Sequence, residues 1–192
     1  MVNQKLKNLN WHDQHIKTNL DSKITPLTQA AYLGRKRIVE MLLNNFSYLD
    51  LNLATIENQY TPLSAACMSG NCEIVQMLVL NGADVNKEDL MEQSPLQYCF
   101  ARMNEDGNYY ENKALALRMA DILLEHGADP NKQSFGRTIL MNFCYQNYSS
   151  MIKIQQMMVL EVIQYLLLHG ADAFNTKCKK GGLSAYELAV QG

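Results

Sequence analysis

The sequence predicts an all-α repeat solenoid, and three observations lead there. The tripeptide Thr25-Pro26-Leu27 returns as Thr61-Pro62-Leu63 and as Ser94-Pro95-Leu96, with weaker echoes at Thr138-Ile139-Leu140 and Ser184-Ala185-Tyr186. A second marker, Gly82-Ala83-Asp84-Val85-Asn86, returns as Gly127-Ala128-Asp129-Pro130-Asn131 and as Gly170-Ala171-Asp172, with Asn175 a little further on. The markers alternate, so they are the two ends of one repeated unit. The third observation lies between them, where apolar residues recur at helical spacing. One such unit cannot bury its own apolar faces, and units must therefore stack.

The second unit shows why each element forms. Thr61 is a helix-capping residue, and Pro62 takes the first helical position, where its missing N–H costs nothing. Leu63, Ala66 and Cys67 share one helical face, and the small residues there allow close approach of a second helix. Gly70 ends the first helix. Ile74, Val75, Leu78 and Val79 form the apolar stripe of a second helix, which Gly82 ends in a left-handed conformation. The segment from Asn86 to Gln93 then runs out and back as a finger.

Residues 61–86, TPLSAACMSGNCEIVQMLVLNGADVN, closely resemble the ankyrin repeat, whose pattern is T-P-L-H-x-A-A-x-x-G, an I-V-x-x-L-L outer helix and G-A-D-V-N. The resemblance is specific because many positions match at fixed spacing, and it covers about residues 22–190. It implies a stack of helix-turn-helix units with β-hairpin fingers. The units divide as 1–24, a polar N-terminal cap or incomplete hairpin containing Trp11; 25–60, repeat one; 61–93, repeat two; 94–137, repeat three; 138–183, repeat four; and 184–192, a partial repeat or cap. Repeat one replaces the glycine-alanine-aspartate turn by Asn45-Phe46-Ser47-Tyr48-Leu49.

Repeats three and four depart from the pattern by insertion. Thirteen residues separate Thr61 from Ile74, but 25 separate Ser94 from Met119 and 24 separate Thr138 from Val162. Glu105-Asp106-Gly107-Asn108 reads as a turn, after which Leu115, Met119 and Ile122 keep helical spacing. Tyr148-Ser149-Ser150 reads as turn and cap, followed in phase by Met151, Ile154, Met158, Val162 and Leu166. Two neighbouring outer helices are therefore expected to be lengthened at their N-terminal ends. They either pack only on each other or form a second docking surface around Tyr109, Tyr110 and Ile152. Ser184 to Gln191 match an inner helix with no outer helix after it, so either the native chain continues past Gly192 or this half-unit is a cap; continuation is the expectation.

Bulk properties narrow the function classes. The chain has 192 residues, 47% hydrophobic and 19% charged, with net charge -2. That balance does not favour nucleic acid or an anionic membrane as the main partner. The cluster Lys177, Lys179 and Lys180 beside Gly181 and Gly182 reads as a solvated loop. No stretch suffices for a membrane span, and Met-Val-Asn-Gln-Lys-Leu-Lys leads into no apolar run, so no signal peptide is expected. Five cysteines without a CxxC pair suggest free thiols in a reducing cytosol, and a monomeric cytoplasmic protein is the expectation. The Asn-, Gln-, Lys- and Ile-rich composition resembles that of proteins of intracellular bacteria, including secreted effectors that act in host cytosol.

Chemistry-bearing constellations are sparse. His12 and His15 flank Asp13 at helical spacing, but no further metal ligand is evident, and neither metal nor cofactor is expected. His126 and His169 precede the glycines of the turns and should bond the last helical carbonyls. Cys67, Cys99 and Cys144 fill small-residue positions of inner helices, while Cys72 and Cys178 are expected to be more exposed and open to oxidation. No phosphate loop, nucleophile elbow or paired catalytic acid appears, so no enzyme activity is expected.

Ankyrin repeats usually bind partners through the concave face and finger tips, which the resemblance maps onto definite positions. Those before the helix-ending glycines are Tyr32 and Leu33, Met68 and Ser69, Ala101 and Arg102, and Tyr145 and Gln146. The fingers add Tyr60, Leu90, Met91, Phe135 and Arg137. The set is rich in residue types that dominate interface hot spots, and a protein or peptide partner is the expectation. The alternatives are the targeting arm of a larger enzyme or effector whose catalytic part lies beyond residue 192, and an architectural spacer. The resemblance further implies that Asn86 and Asn131, each with a leucine eight residues upstream (Leu78 and Leu123), suit asparaginyl β-hydroxylation. Otherwise they serve only to hold their turns.

Overall fold

The computed structural model describes residues 16–17, 23–101, 103, 109–145, 153–179 and 182–191. Two short strands, β1 (Ile16–Lys17) and β2 (Lys23–Ile24), pair antiparallel with Ile16 opposite Ile24. Nine helices follow among the described residues. The inner row is α1 (Pro26–Tyr32), α3 (Pro62–Ser69), α5 (Pro95–Ala101), α7 (Ile139–Cys144) and α9 (Ala185–Gln191). The outer row is α2 (Lys36–Asn45), α4 (Cys72–Leu80), α6 (Tyr109–Glu125) and α8 (Lys153–Leu168).

Local chemistry starts three of the inner helices the same way. Thr25, Thr61 and Thr138 cap α1, α3 and α7, each hydroxyl accepting from the backbone N–H three residues on. The residue at that third position often reaches back: Ser64 Oγ accepts from Thr61 N–H at 2.8 Å, Gln97 Oε1 from Ser94 N–H at 2.7 Å and Glu187 Oε2 from Ser184 N–H at 2.7 Å. Gly70 ends α3 with φ 75°, the left-handed region that a side chain would resist.

The turns after the outer helices are tied together across units. Asn52 Oδ1 accepts from Asp84 N–H at 2.8 Å, Asn86 Oδ1 from Asp129 N–H at 2.8 Å and Asn131 Oδ1 from Asp172 N–H at 2.7 Å. The amides of Asn86 and Asn131 also donate to the Gly127 and Gly170 carbonyls at 2.8 and 3.1 Å. These asparagines hold the next unit's turn, whereas the sequence suggested only their own. His126 and His169 cap as expected, each Nδ1 lying 2.8 Å from a carbonyl of the preceding helical turn.

The core runs the length of the stack. Ala30, Ala31, Ala65, Ala66, Cys67 and Cys99 let α1, α3 and α5 pack closely, and Ile74, Val75, Leu78 and Leu123 seal the outer row. The two outer helices expected to be long have 17 and 16 residues, against 10 and 9 in α2 and α4. The Lys113–Glu161 ion pair joins them, and Tyr165 Oη donates to Asp121 Oδ1 at 2.6 Å.

Two expectations are corrected. The fingers after α2 are tight turns closed by one or two backbone hydrogen bonds, as at Asp89–Gln93 and Cys178–Leu183; outside the β1–β2 pair, the β-bridge among the described residues is Ser134 with Arg137. Too few residues lie between the turns to build a ladder. Cys72 and Cys178 are buried, not exposed. Cys72 lies on the face of α4 that α6 covers, its Sγ 3.8 Å from the Leu115 carbonyl, and Cys178 closes the last finger. Burial pushes the Cys72, Cys99 and Cys144 thiols up, away from the reactive thiolate.

Candidate protein-interaction surface

Among the described residues, inner helices and fingers together line three depressions of note. The first lies between the first and second units and has a volume of about 300 Å³. Tyr32 from the end of α1, Met68 from α3 and Tyr60 from the intervening finger line it, with Thr28, Gln29 and Glu57. Tyr60 is steadied by an edge-on contact with Tyr98, centroids 6.0 Å apart. Tyr98 in turn donates its hydroxyl to Asp89, whose other oxygen accepts from Met91 N–H and Gln93 N–H at 2.8 Å each. One buried carboxylate therefore shapes the second finger and presents Leu90 and Met91 to solvent.

The second depression, about 290 Å³, lies among finger tips: Leu90, Met91 and Glu92 on one side, Phe135, Gly136 and Lys179 on the other. Phe135 and Gly136 have φ of 50° and 78° between bridged Ser134 and Arg137, the φ pattern of a type I′ turn. A phenylalanine resists that conformation, and here the residue is 61% exposed. Gly136 is required by packing as well, because a Cβ there would meet Lys179 Cβ at 2.7 Å.

The third depression, about 460 Å³, lies between the third and fourth units. Its floor has a physical cause. Where the earlier units use alanine and cysteine, α5 and α7 carry Phe100 and Phe143, whose rings meet edge-on with centroids 5.9 Å apart. Bulky rings space these two inner helices, which pack less closely than α1 with α3. Arg137 rises at the rim, its guanidinium 4.1 Å from the centre of the Tyr145 ring.

Of the residues singled out from sequence, Tyr32, Tyr60 and Met68 meet in the first depression, Leu90, Met91 and Phe135 in the second, and Phe135 and Arg137 in the third. Tyr145 is exposed beside the last. Leu33 is exposed but lines none of the three. Ser69 turns inward, its Oγ donating to the Ala65 carbonyl at 3.0 Å. Tyr110 is exposed at the start of α6, while Arg102, Gln146, Ile152 and the Tyr109 side chain lie outside the described residues. Asn86 and Asn131 are half-buried with both ends of the amide engaged. Sequence reasoning missed Gln93, Phe100, Asn142 and Phe143. The available signal was a polar residue inside an apolar inner helix, as at Gln29 and Asn142, four positions after the capping threonine.

Among the described residues no helix is long and apolar enough to cross a membrane, and no group of three or more His, Cys, Asp or Glu could hold a metal ion. The architecture defines a solenoid of stacked helical hairpins that presents finger turns and inner helices on one side. Residues 2–89 match the family model described as ankyrin repeats (3 copies), so this part of the chain is built of ankyrin repeats. The same hairpin pairing and turn markers continue beyond the matched residues, through α8. None of the curated proteins matches the chain. Ankyrin repeats are in general protein-interaction modules.

Proposed function

We propose that this protein is a reversible docking module that holds an extended segment of a partner protein along its finger tips and inner helices. The observation that carries this is the set of exposed Tyr32, Leu90, Met91, Phe135 and Tyr145 in or beside the three depressions, side chains that a monomer gains nothing by exposing together. Aromatic residues set in pockets are the usual anchors of such interfaces, each contributing about 1–3 kcal/mol. The exposed Phe135 in a left-handed turn supports the same reading, since strain of this kind tends to collect where a binding surface needs a particular shape. Binding without catalysis accords with the high thiol pKa values and with the engagement of Asp89 in the finger. The lengthened α6 and α8, joined by Lys113–Glu161 and Tyr165–Asp121, serve as a stiff back to the groove.

The test is an affinity pull-down with wild type and the Tyr32→Ala/Tyr145→Ala double variant side by side. Both are expected to melt within a few degrees of each other, because the two side chains are exposed. A partner retained by wild type and lost by the variant is the expected result. A partner held equally by both would remove the concave face from the interface and point to Tyr110 and the long outer helices.

A further inference from the structure

We propose that the groove between the third and fourth units selects a partner segment carrying an acidic side chain next to an apolar one, with the carboxylate seated on Arg137 and the apolar side chain on the Phe100–Phe143 floor. This rests on the concave-face function proposed above and names the chemistry it selects.

The argument begins with charge. Near the second and third fingers each carboxylate has a partner: Glu88 pairs with Lys132 at 2.7 Å, Glu92 pairs with Lys179 at 2.7 Å, and Asp89 accepts from Tyr98 and from two backbone N–H groups. Arg137 is different. It lines the groove, and its side chain makes neither an ion pair nor a hydrogen bond with the described residues. Among the described residues the groove therefore carries one uncompensated positive charge, which an anionic occupant complements.

Geometry narrows the anion to a carboxylate. A guanidinium lying over a ring is held in orientation, and its N–H edge stays open to accept a planar carboxylate through two parallel hydrogen bonds. Among the described residues no second free cation lies beside Arg137, which suits one carboxylate better than a phosphate or a polyanion. The remaining lining fits an extended backbone: the side-chain amides of Gln93 and Asn142 make no hydrogen bond with the described residues, and each offers a donor and an acceptor. The same lining includes the Phe100–Phe143 pair, 5.9 Å from ring to ring, where an apolar side chain finds cover. With two side-chain amides in the lining to bond its backbone, the segment runs through the groove, and its acid is an internal Asp or Glu side chain rather than a chain end.

The experiment is selection of phage-displayed random twelve-residue peptides, fused at their C-termini so that no free carboxylate is shown, on the full chain. Enriched sequences are resynthesised with amidated C-termini and measured by calorimetry against wild type, Arg137→Gln and Arg137→Lys. Enriched peptides are expected to carry Asp or Glu within two positions of an aliphatic or aromatic residue. Changing that acid to its amide, or Arg137 to Gln, should each weaken binding about tenfold, and the two changes together should cost little more than either. Arg137→Lys, which keeps the charge but loses the fork, should fall between. Selection repeated on Arg137→Glu should enrich a basic residue at the same place. Peptides without an acid, or binding untouched by Arg137→Gln, overturn the assignment. If such peptides are still lost on Tyr32→Ala, the concave-face function stands without Arg137; if they are indifferent to Tyr32, Arg137 and Tyr145 alike, both proposals fall. Thermal melts of each variant separate lost folding from lost binding.

Discussion

At the scale of single residues, short polar side chains bind the ends of elements, and their ionisation makes stability depend on pH. Backbone N–H groups of Asn175 and Phe174, aided by Thr176, hold the Asp172 carboxyl down to about 2. Lys177 and the N–H and hydroxyl of Ser184 hold the Glu187 carboxyl down to about 2. Both values are depressed on folding from ordinary values of 3.8 and 4.5, so the stabilisation is complete above the unfolded-chain values and is lost as pH falls through the folded ones. The melting temperature should therefore fall between about pH 5 and about pH 2. Circular-dichroism melts across that range should show a shallower fall for the Asp172→Asn/Glu187→Gln double variant. Parallel curves would mean that these carboxylates do not secure the last finger and α9.

At the scale of elements, each finger depends on a few contacts because it is too short to support itself. The second finger is pinned by Asp89, and Tyr98 reaches up from α5 to complete that pin. Burial first, and the neighbouring Asp89 carboxylate second, push the Tyr98 phenol up, so it remains a donor at all ordinary pH. Removing the hydroxyl by Tyr98→Phe leaves a buried carboxylate oxygen short of a partner, at a cost of about 1–3 kcal/mol. The amides of Met91 and Gln93 should then exchange faster in hydrogen-exchange measurements, while those of α4 change little. Stability within about 0.5 kcal/mol of wild type in denaturant unfolding would show that the finger holds without it.

At the scale of the whole molecule, a stack protects each unit by its neighbours, and the protection is uneven. Leu117, Ala120 and Leu124 of α6 are buried or half-buried. The matching positions of α8 are Leu160, Ile163 and Leu167, of which Leu160 is 58% and Leu167 is 45% exposed. Two leucines in equivalent outer helices should thus differ sharply. Leu123→Ala, at a fully buried site between units, should cost about 2–5 kcal/mol. Leu160→Ala should stay within about 0.5 kcal/mol of wild type. Urea unfolding of the two variants measures the contrast, and equal losses would show that α8 is covered.

Much of this was legible before any coordinates. Capping Thr61 with Pro62, the left-handed Gly70 and the alternation of two markers specify helix starts, helix ends and the stacking of units, because these depend on residues within a few positions of one another. Even the lengthening of α6 and α8 follows from spacing and periodicity. The apolar and aromatic concave set follows from the ankyrin resemblance, since a regular stack carries aligned positions to one side. What tertiary structure decided depends on side chains meeting from different units. Cys72 and Cys178 are buried because of what packs over them, and the asparagine ladder ties turns some forty residues apart in the chain. The wide groove exists because Phe100 and Phe143 space two inner helices, and its charge is open because Lys132 and Lys179 neutralise the nearby glutamates and leave Arg137 on Tyr145. Short-range chemistry sets the repeat; the distances between aligned but unlike side chains set what it can hold.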